Sequence, residues 1–208
     1  IFLFQMQKIL LTAYEPFGEN TTNSSWEVAK LLKEQSFEQV DLSVVLLPVS
    51  FNRVAAVLQE AITSHCPDVV LMLGQSGTKD KLKLERVALN MMDSKNGDND
   101  GYCPTEETIN SNGPAAYITK APVKSLLDHL KTFGVNSKIS NSAGLYVCNR
   151  TYYEALRLCE ENGAMQALFV HLPPVPCLGE EGCLSVEEMS RAVAELISKF
   201  GAKPSTIG

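Results

Sequence analysis

Lys8-Ile9-Leu10-Leu11-Thr12-Ala13 is followed by Tyr14-Glu15-Pro16-Phe17-Gly18-Glu19-Asn20-Thr21-Thr22-Asn23 and then by Ser24-Ser25-Trp26-Glu27. The first six residues read as a buried strand. The next ten, with Pro, Gly and Asn among them, read as a loop, and the last four fit a capping box at the start of a helix. Strand, loop and helix in that order are the unit of α/β folds, and the order sets the loop Tyr14 to Asn23 at a strand's carboxyl end, where such folds place their ligands.

The pattern continues outward from there. Leu42 to Leu47 reads as a strand and Phe51 to Ser64 as a helix; Pro67 then opens a strand from Asp68 to Leu73 that ends at Gly74. Leu84 to Met92 has strand character. Asp93 to Gly113 is too rich in Asn, Asp and Gly to pack, so it is expected to be a long excursion of the kind that often carries function. Pro122 to Phe133 is predicted as a helix closed by Gly134, Lys138 to Ser140 as a short strand, and Arg150 to Glu161 as a helix ended by Gly163. Ala167 to Val170 is predicted as a strand and Leu184 to Phe200 as the last helix. No repeat or Pro/Gly-rich linker interrupts the series, so one α/β domain is the simplest account.

Composition narrows the functions. The 208 residues carry 18 Lys and Arg against 24 Asp and Glu, a formal charge of -6, which argues against a partner defined by a phosphate backbone. At 45% hydrophobic and 20% charged the chain lies far from the disordered class. Apolar runs such as Val69-Val70-Leu71-Met72-Leu73 fall well short of the roughly 20 residues that cross a bilayer. Ile1-Phe2-Leu3-Phe4-Gln5 has no basic flank and no small-residue cleavage site, and it is read as an expression remnant ahead of a domain at 6–208. The six cysteines, at 66, 103, 148, 159, 177 and 183, are too sparse for a disulfide scaffold and lack the spacing of a zinc ribbon. Reduced thiols in the cytoplasm are expected.

The chemistry concentrates in Asn141-Ser142-Ala143-Gly144-Leu145-Tyr146-Val147-Cys148-Asn149-Arg150. This stretch sets a cysteine where irregular chain becomes helix, in the positive field of a helix start and beside free backbone N–H groups that a developing oxyanion can use. A small buried apolar residue is the ordinary alternative. A nucleophilic thiol needs a base. His65 ends a helix and His129 lies within another, so both read as surface or structural. His171 ends the strand Ala167 to Val170 ahead of Leu172-Pro173-Pro174-Val175-Pro176, where it would meet Gly74-Gln75 and Cys148. Glu85, a carboxylate inside the apolar run Leu82 to Asn90, is the candidate to orient the imidazole; an ion pair with Arg86 or a wet strand face is the alternative.

These same residues carry a resemblance. The chain from Met6 onward resembles the pyrrolidone carboxyl peptidases, also called pyroglutamyl peptidase I, through Thr12-Ala13-Tyr14-Glu15-Pro16-Phe17-Gly18 with Asn23 and Trp26, Leu47-Pro48-Val49 and Gly74-Gln75. Glu85-Arg86-Val87-Ala88 with Asn90 and Asp93, Asp98-Asn99 with Gly101, Asn141 to Asn149, and His171-Leu172-Pro173 extend it. The resemblance implies a three-layer α/β/α sandwich around a mostly parallel twisted sheet, like that of nucleoside phosphorylases. It implies a cysteine peptidase that removes N-terminal pyroglutamate from peptides without metal or cofactor and assembles as a homotetramer. Cys148 would be the nucleophile, His171 the base and then acid, and Glu85 the group that positions His171. Tyr14 and Phe17 would wall the lactam ring, Tyr146 and Val147 would flank the nucleophile, and Asn23 and Gln75 would address the lactam. The resemblance also places Lys95 where relatives usually carry Arg near the cysteine, and Tyr14 where they usually carry Phe.

Two other readings stay open at this point. One is a nucleoside-phosphorylase-like enzyme, although no Gly-rich phosphate loop is present. The other is a metal or thiol sensor built on His171, Cys177 and Cys183, whose spacing matches no established zinc pattern.

Overall fold

A computed structural model describes residues 6–176 and 182–202. The segment 1–5 and Cys177 lie outside the described residues. Alternation of apolar residues along β1 (Gln7–Tyr14) sends Ile9, Leu11 and Ala13 to one face and Leu10 and Tyr14 to the other, and both faces are covered, as a parallel sheet requires. Six strands form the main sheet in the order β2-β1-β3-β8-β4-β7. Here β2 is Val40–Leu47, β3 Val69–Gln75, β4 Leu82–Glu85, β7 Ser137–Ser140 and β8 Gln166–Leu172. All pairings are parallel except β4 with β8.

Helices α1 (Ser24–Lys33), α3 (Val123–Thr132) and α5 (Val186–Gly201) bury Val28, Leu126 and Leu196 with the Ile9 face. On the other face α2 (Val54–His65) and α4 (Val147–Glu161) bury Leu58, Tyr152 and Leu156 against Met72 and Phe169. The chain is therefore the expected three-layer, mostly parallel α/β domain. A separate antiparallel pair, β5 (Val87–Leu89) and β6 (Ala116–Ile118), packs beside α4.

Several local expectations are corrected. The α1 cap is Asn23, whose side chain accepts the Ser25 N–H, while Glu27 pairs with Lys30 at 2.7 Å instead of closing a capping box. The genuine capping box is at α5, where Ser185 and Glu188 exchange bonds. Leu84 to Met92 is not one strand: β4 ends at Glu85, the chain leaves the main sheet at Arg86, and β5 pairs elsewhere. The excursion 93–113 does pack, because buried Asp98 takes the N–H groups of Phe51 at 2.8 Å and Tyr102 at 2.9 Å, and Met92 bridges Glu107. Helix α2 begins at Val54, three residues later than expected, and α4 begins at Val147, three residues earlier.

Gly74 stands level with His171 in the parallel β3–β8 register. A Cβ at Gly74 would lie 2.7 Å from Phe169 Cζ and 3.1 Å from Cys148 Sγ, and Phe169 is fully buried and unable to withdraw. Gly74→Ala is expected to cost about 1–3 kcal/mol of stability by overpacking and to displace the thiol. Chemical denaturation tests this, and a variant as stable as the parent would show that the β3–β8 contact is looser than described.

Candidate active site

Strand β8 carries the imidazole. His171 lies inside the strand instead of just past its end, 7% exposed, with its ring 4.8 Å from that of Phe169. Antiparallel pairing sets Glu85 opposite Phe169, so His171 is Glu85's diagonal neighbour on the same face, a spacing that long side chains span. Glu85 Oε1 is 2.8 Å from His171 Nδ1, and the carboxylate is fully buried. The expected alternative partner, Arg86, instead reaches Asn141 Oδ1 at 3.3 Å. The Tyr152 hydroxyl donates to the Glu85 backbone carbonyl at 2.9 Å and so fixes the end of β4.

Cys148 is the second residue of α4. The N-cap, Tyr146, provides no side-chain cap, so the first-turn N–H groups are left for another acceptor. Asn149, which sequence reasoning left without a role, fastens this turn: its Oδ1 accepts the Leu89 N–H at 2.9 Å, and its Nδ2 donates to Leu89 O and Met91 O, each at 2.9 Å. A fully buried Asn inside a helix's first turn is the signal that could have marked it.

The imidazole also hydrogen-bonds Cys148. Burial alone would lower the His171 pKa. The hydrogen bonds to Cys148 and Glu85 and the charges of both groups outweigh burial and raise it from 6.5 to about 9. With Nδ1 on the carboxylate, Nε2 is the atom left for sulfur.

Beside the thiol lies a cavity of about 30 Å³, close to one water's share of space. Phe17, Val49, Tyr146 and Val147 form apolar walls with Tyr14, and Asn23 and Gln75 add amides. Phe17 and Tyr146 face each other with ring centroids 6.2 Å apart, and Phe51 meets Tyr146 edge-on at 5.3 Å. The structure thus brings Tyr14, Phe17, Asn23, Gln75, Tyr146 and Val147 together around Cys148; Val49 was not anticipated. Lys95 is exposed and lies outside the cavity lining. His65 is exposed at the end of α2, and His129 pairs with Glu195 at 3.1 Å. Among the described residues no three His, Cys, Asp or Glu side chains converge as metal ligands. A larger hollow between α3 and α5, lined by Phe133, Leu184 and Arg191, includes none of these site residues.

Comparison with known proteins agrees with this geometry. A family model described as pyroglutamyl peptidase matches residues 7–196. A pyrrolidone-carboxylate peptidase of Thermococcus kodakarensis is 40% identical over 167 residues, 80% of this chain and 81% of that protein. One from Bacillus licheniformis is 38% identical over 82% of this chain and 80% of its own length. The crystal structure of Bacillus amyloliquefaciens pyroglutamyl peptidase I superposes with a TM-score of 0.88 at 31% identity, covering 94% of this chain and 97% of that one.

Folding raises the His171 pKa, so the protonated imidazole adds stability that is fully present below about 6.5 and is lost as pH rises through about 9. The contribution is on the order of 3 kcal/mol. NMR titration of the His171 ring is expected to give a midpoint near 9 that falls in Glu85→Gln; an unchanged midpoint in that variant would remove the carboxylate from the account.

Proposed function

The chain belongs to the pyroglutamyl peptidase family and removes N-terminal pyroglutamate from peptides, and from that premise we propose that Cys148, His171 and Glu85 are its catalytic groups. The observation that carries the assignment is the buried carboxylate 2.8 Å from an imidazole that also bonds a thiol at a helix start. Cys148 attacks the carbonyl that joins pyroglutamate to the next residue. The developing oxyanion is received by the unclaimed N–H groups of the α4 first turn. Imidazolium His171 then protonates the leaving amine, the shortened peptide departs, and a thioester to pyroglutamate remains. Neutral His171 activates water to hydrolyse that thioester, releasing pyroglutamate and restoring the thiol. Throughout, Glu85 holds the ring by Nδ1 and stabilises its charged form.

The cavity beside the thiol supports the substrate assignment. A pyroglutamyl ring is flat, uncharged and amide-bearing, which suits the aromatic walls Tyr14, Phe17 and Tyr146 with the amides of Asn23 and Gln75. The cavity is nearly closed, so the ring enters by parting Phe17 from Tyr146. Its lining holds no carboxylate to pair with the ammonium of an uncyclised glutaminyl terminus, and burying that charge alone is costly.

The domain spans 6–208 on this reading and works in the cytoplasm, a placement supported by five free cysteines among the described residues and by a thiol-based mechanism. No described helix is long and apolar enough to cross a membrane. Assembly as a homotetramer is supported by the family and by exposed apolar side chains such as Ile118 and Phe133.

Cys148→Ala is expected to abolish hydrolysis of a pyroglutamyl chromogenic amide with the fold intact by circular dichroism, and Glu85→Gln to retain more activity than His171→Ala. Retention of more than a trace of activity by Cys148→Ala would refute the nucleophile. A glutaminyl amide cleaved as fast as its cyclised form would refute the pocket.

A further inference from the structure

A five-membered lactam brings one acceptor, its C=O, and one donor, its N–H, and a buried pocket must meet both. The amide side chains at the cavity have little acceptor capacity left. Asn23 Oδ1 takes the Ser25 N–H at 3.0 Å and the Ser25 hydroxyl at 2.7 Å, while its Nδ2 donates to Glu15 O at 3.0 Å. Gln75 Oε1 takes the Ser24 N–H at 2.9 Å. What these amides still offer is mainly N–H, which suits the ring C=O. The Tyr146 hydroxyl donates to Gly97 O at 3.1 Å at the rim.

Tyr14 differs from all of these. It is 2% exposed, it lines the cavity, and its hydroxyl oxygen is buried without a hydrogen-bond partner. The Thr151 hydroxyl acts on it but gives its own proton to Val147 O at 2.7 Å, so the phenol's lone pairs are not taken from that side. Burial first, and the nearby Cys148 charge second, hold the phenol neutral.

We propose that Tyr14 Oη is the acceptor for the lactam N–H, which makes Tyr14 a residue that determines specificity for a ring amide and not merely an apolar wall. The inference rests on the pyroglutamyl reading above. A buried hydroxyl left unpaired in the empty site becomes paired only when a ring bearing N–H arrives. A carbocycle of the same size leaves it unpaired, and a site with an unpaired buried polar group discriminates against that ligand.

The test compares 2-pyrrolidone with cyclopentanone, which keeps the C=O and lacks the N–H, as competitive inhibitors of pyroglutamyl amide hydrolysis by the parent and by Tyr14→Phe. The parent is expected to bind the lactam about tenfold more tightly, the worth of one neutral hydrogen bond. In Tyr14→Phe that preference disappears and kcat/KM on the pyroglutamyl amide falls about tenfold, while the melting temperature and the rate of Cys148 alkylation by iodoacetamide are unchanged. A lactam preference that survives Tyr14→Phe overturns the inference. So does a variant with slowed alkylation and the preference intact, since the hydroxyl would then act on the thiol. A parent that cleaves no pyroglutamyl amide would overturn the activity itself and this inference with it, a result distinct from a fully active Tyr14→Phe.

Discussion

A fully buried carboxylate 2.8 Å from a buried imidazole sets the terms for the rest of the molecule. Glu85 without a cationic partner would be costly, and it already leaves Oε2 without a hydrogen bond among the described residues. The partner has to be a protonated His171, and the pair stays charged well into alkaline pH only because the Cys148 side lends its own hydrogen bond and charge. Stability and chemistry are therefore linked through one proton: the groups that offset the burial of Glu85 are the ones that make a thiol reactive and a leaving amine protonatable.

That pair exists because one strand runs against the others. Strand β4 enters antiparallel to β8 while running parallel to β7, and the antiparallel register is what makes Glu85 a diagonal neighbour of His171. The thiol comes from a different layer. Helix α4 packs Tyr152, Ala155 and Leu156 into the core above Phe169, which brings its first turn over Gly74. Asn149 then ties the turn to β5, so the short separate sheet serves to hold the nucleophile's backbone. The pocket's loops meet at Glu15, whose Oε1 takes the Val49 N–H and Asn99 Nδ2, each at 3.0 Å.

Much of this was legible in the sequence, for reasons that differ by element. Strands β1 and β3 are near-continuous apolar runs buried on both faces, and nothing competes with that signal. Cys148, His171 and Glu85 were each individually ambiguous; only their ordered company of neighbours pointed to one site. The failures are local contests. Ser24 and Asn23 can both cap a helix, and the Asn side chain took the Ser25 N–H. Arg150 looked like a helix start because Tyr146 and Val147 carry no capping signal, yet core packing extends α4 back to Val147. The run Leu84 to Met92 hides a break at Arg86 that hydropathy cannot register, since strand character continues across it while the sheet changes. The Asp98 anchor joins residues 47 positions apart, a distance no local pattern reports.

The central claim is that the thiol of Cys148, and not another nucleophile, carries the pyroglutamyl group between the two halves of the reaction. Rapid mixing with a pyroglutamyl amide, acid quench, and mass analysis of the digested protein tests it directly. The account predicts a transient pyroglutamyl adduct on the peptide containing Cys148, formed at least as fast as steady-state turnover requires and absent in Cys148→Ala. An adduct on any other residue, or turnover with no adduct while Cys148 remains freely alkylated during the reaction, would contradict it.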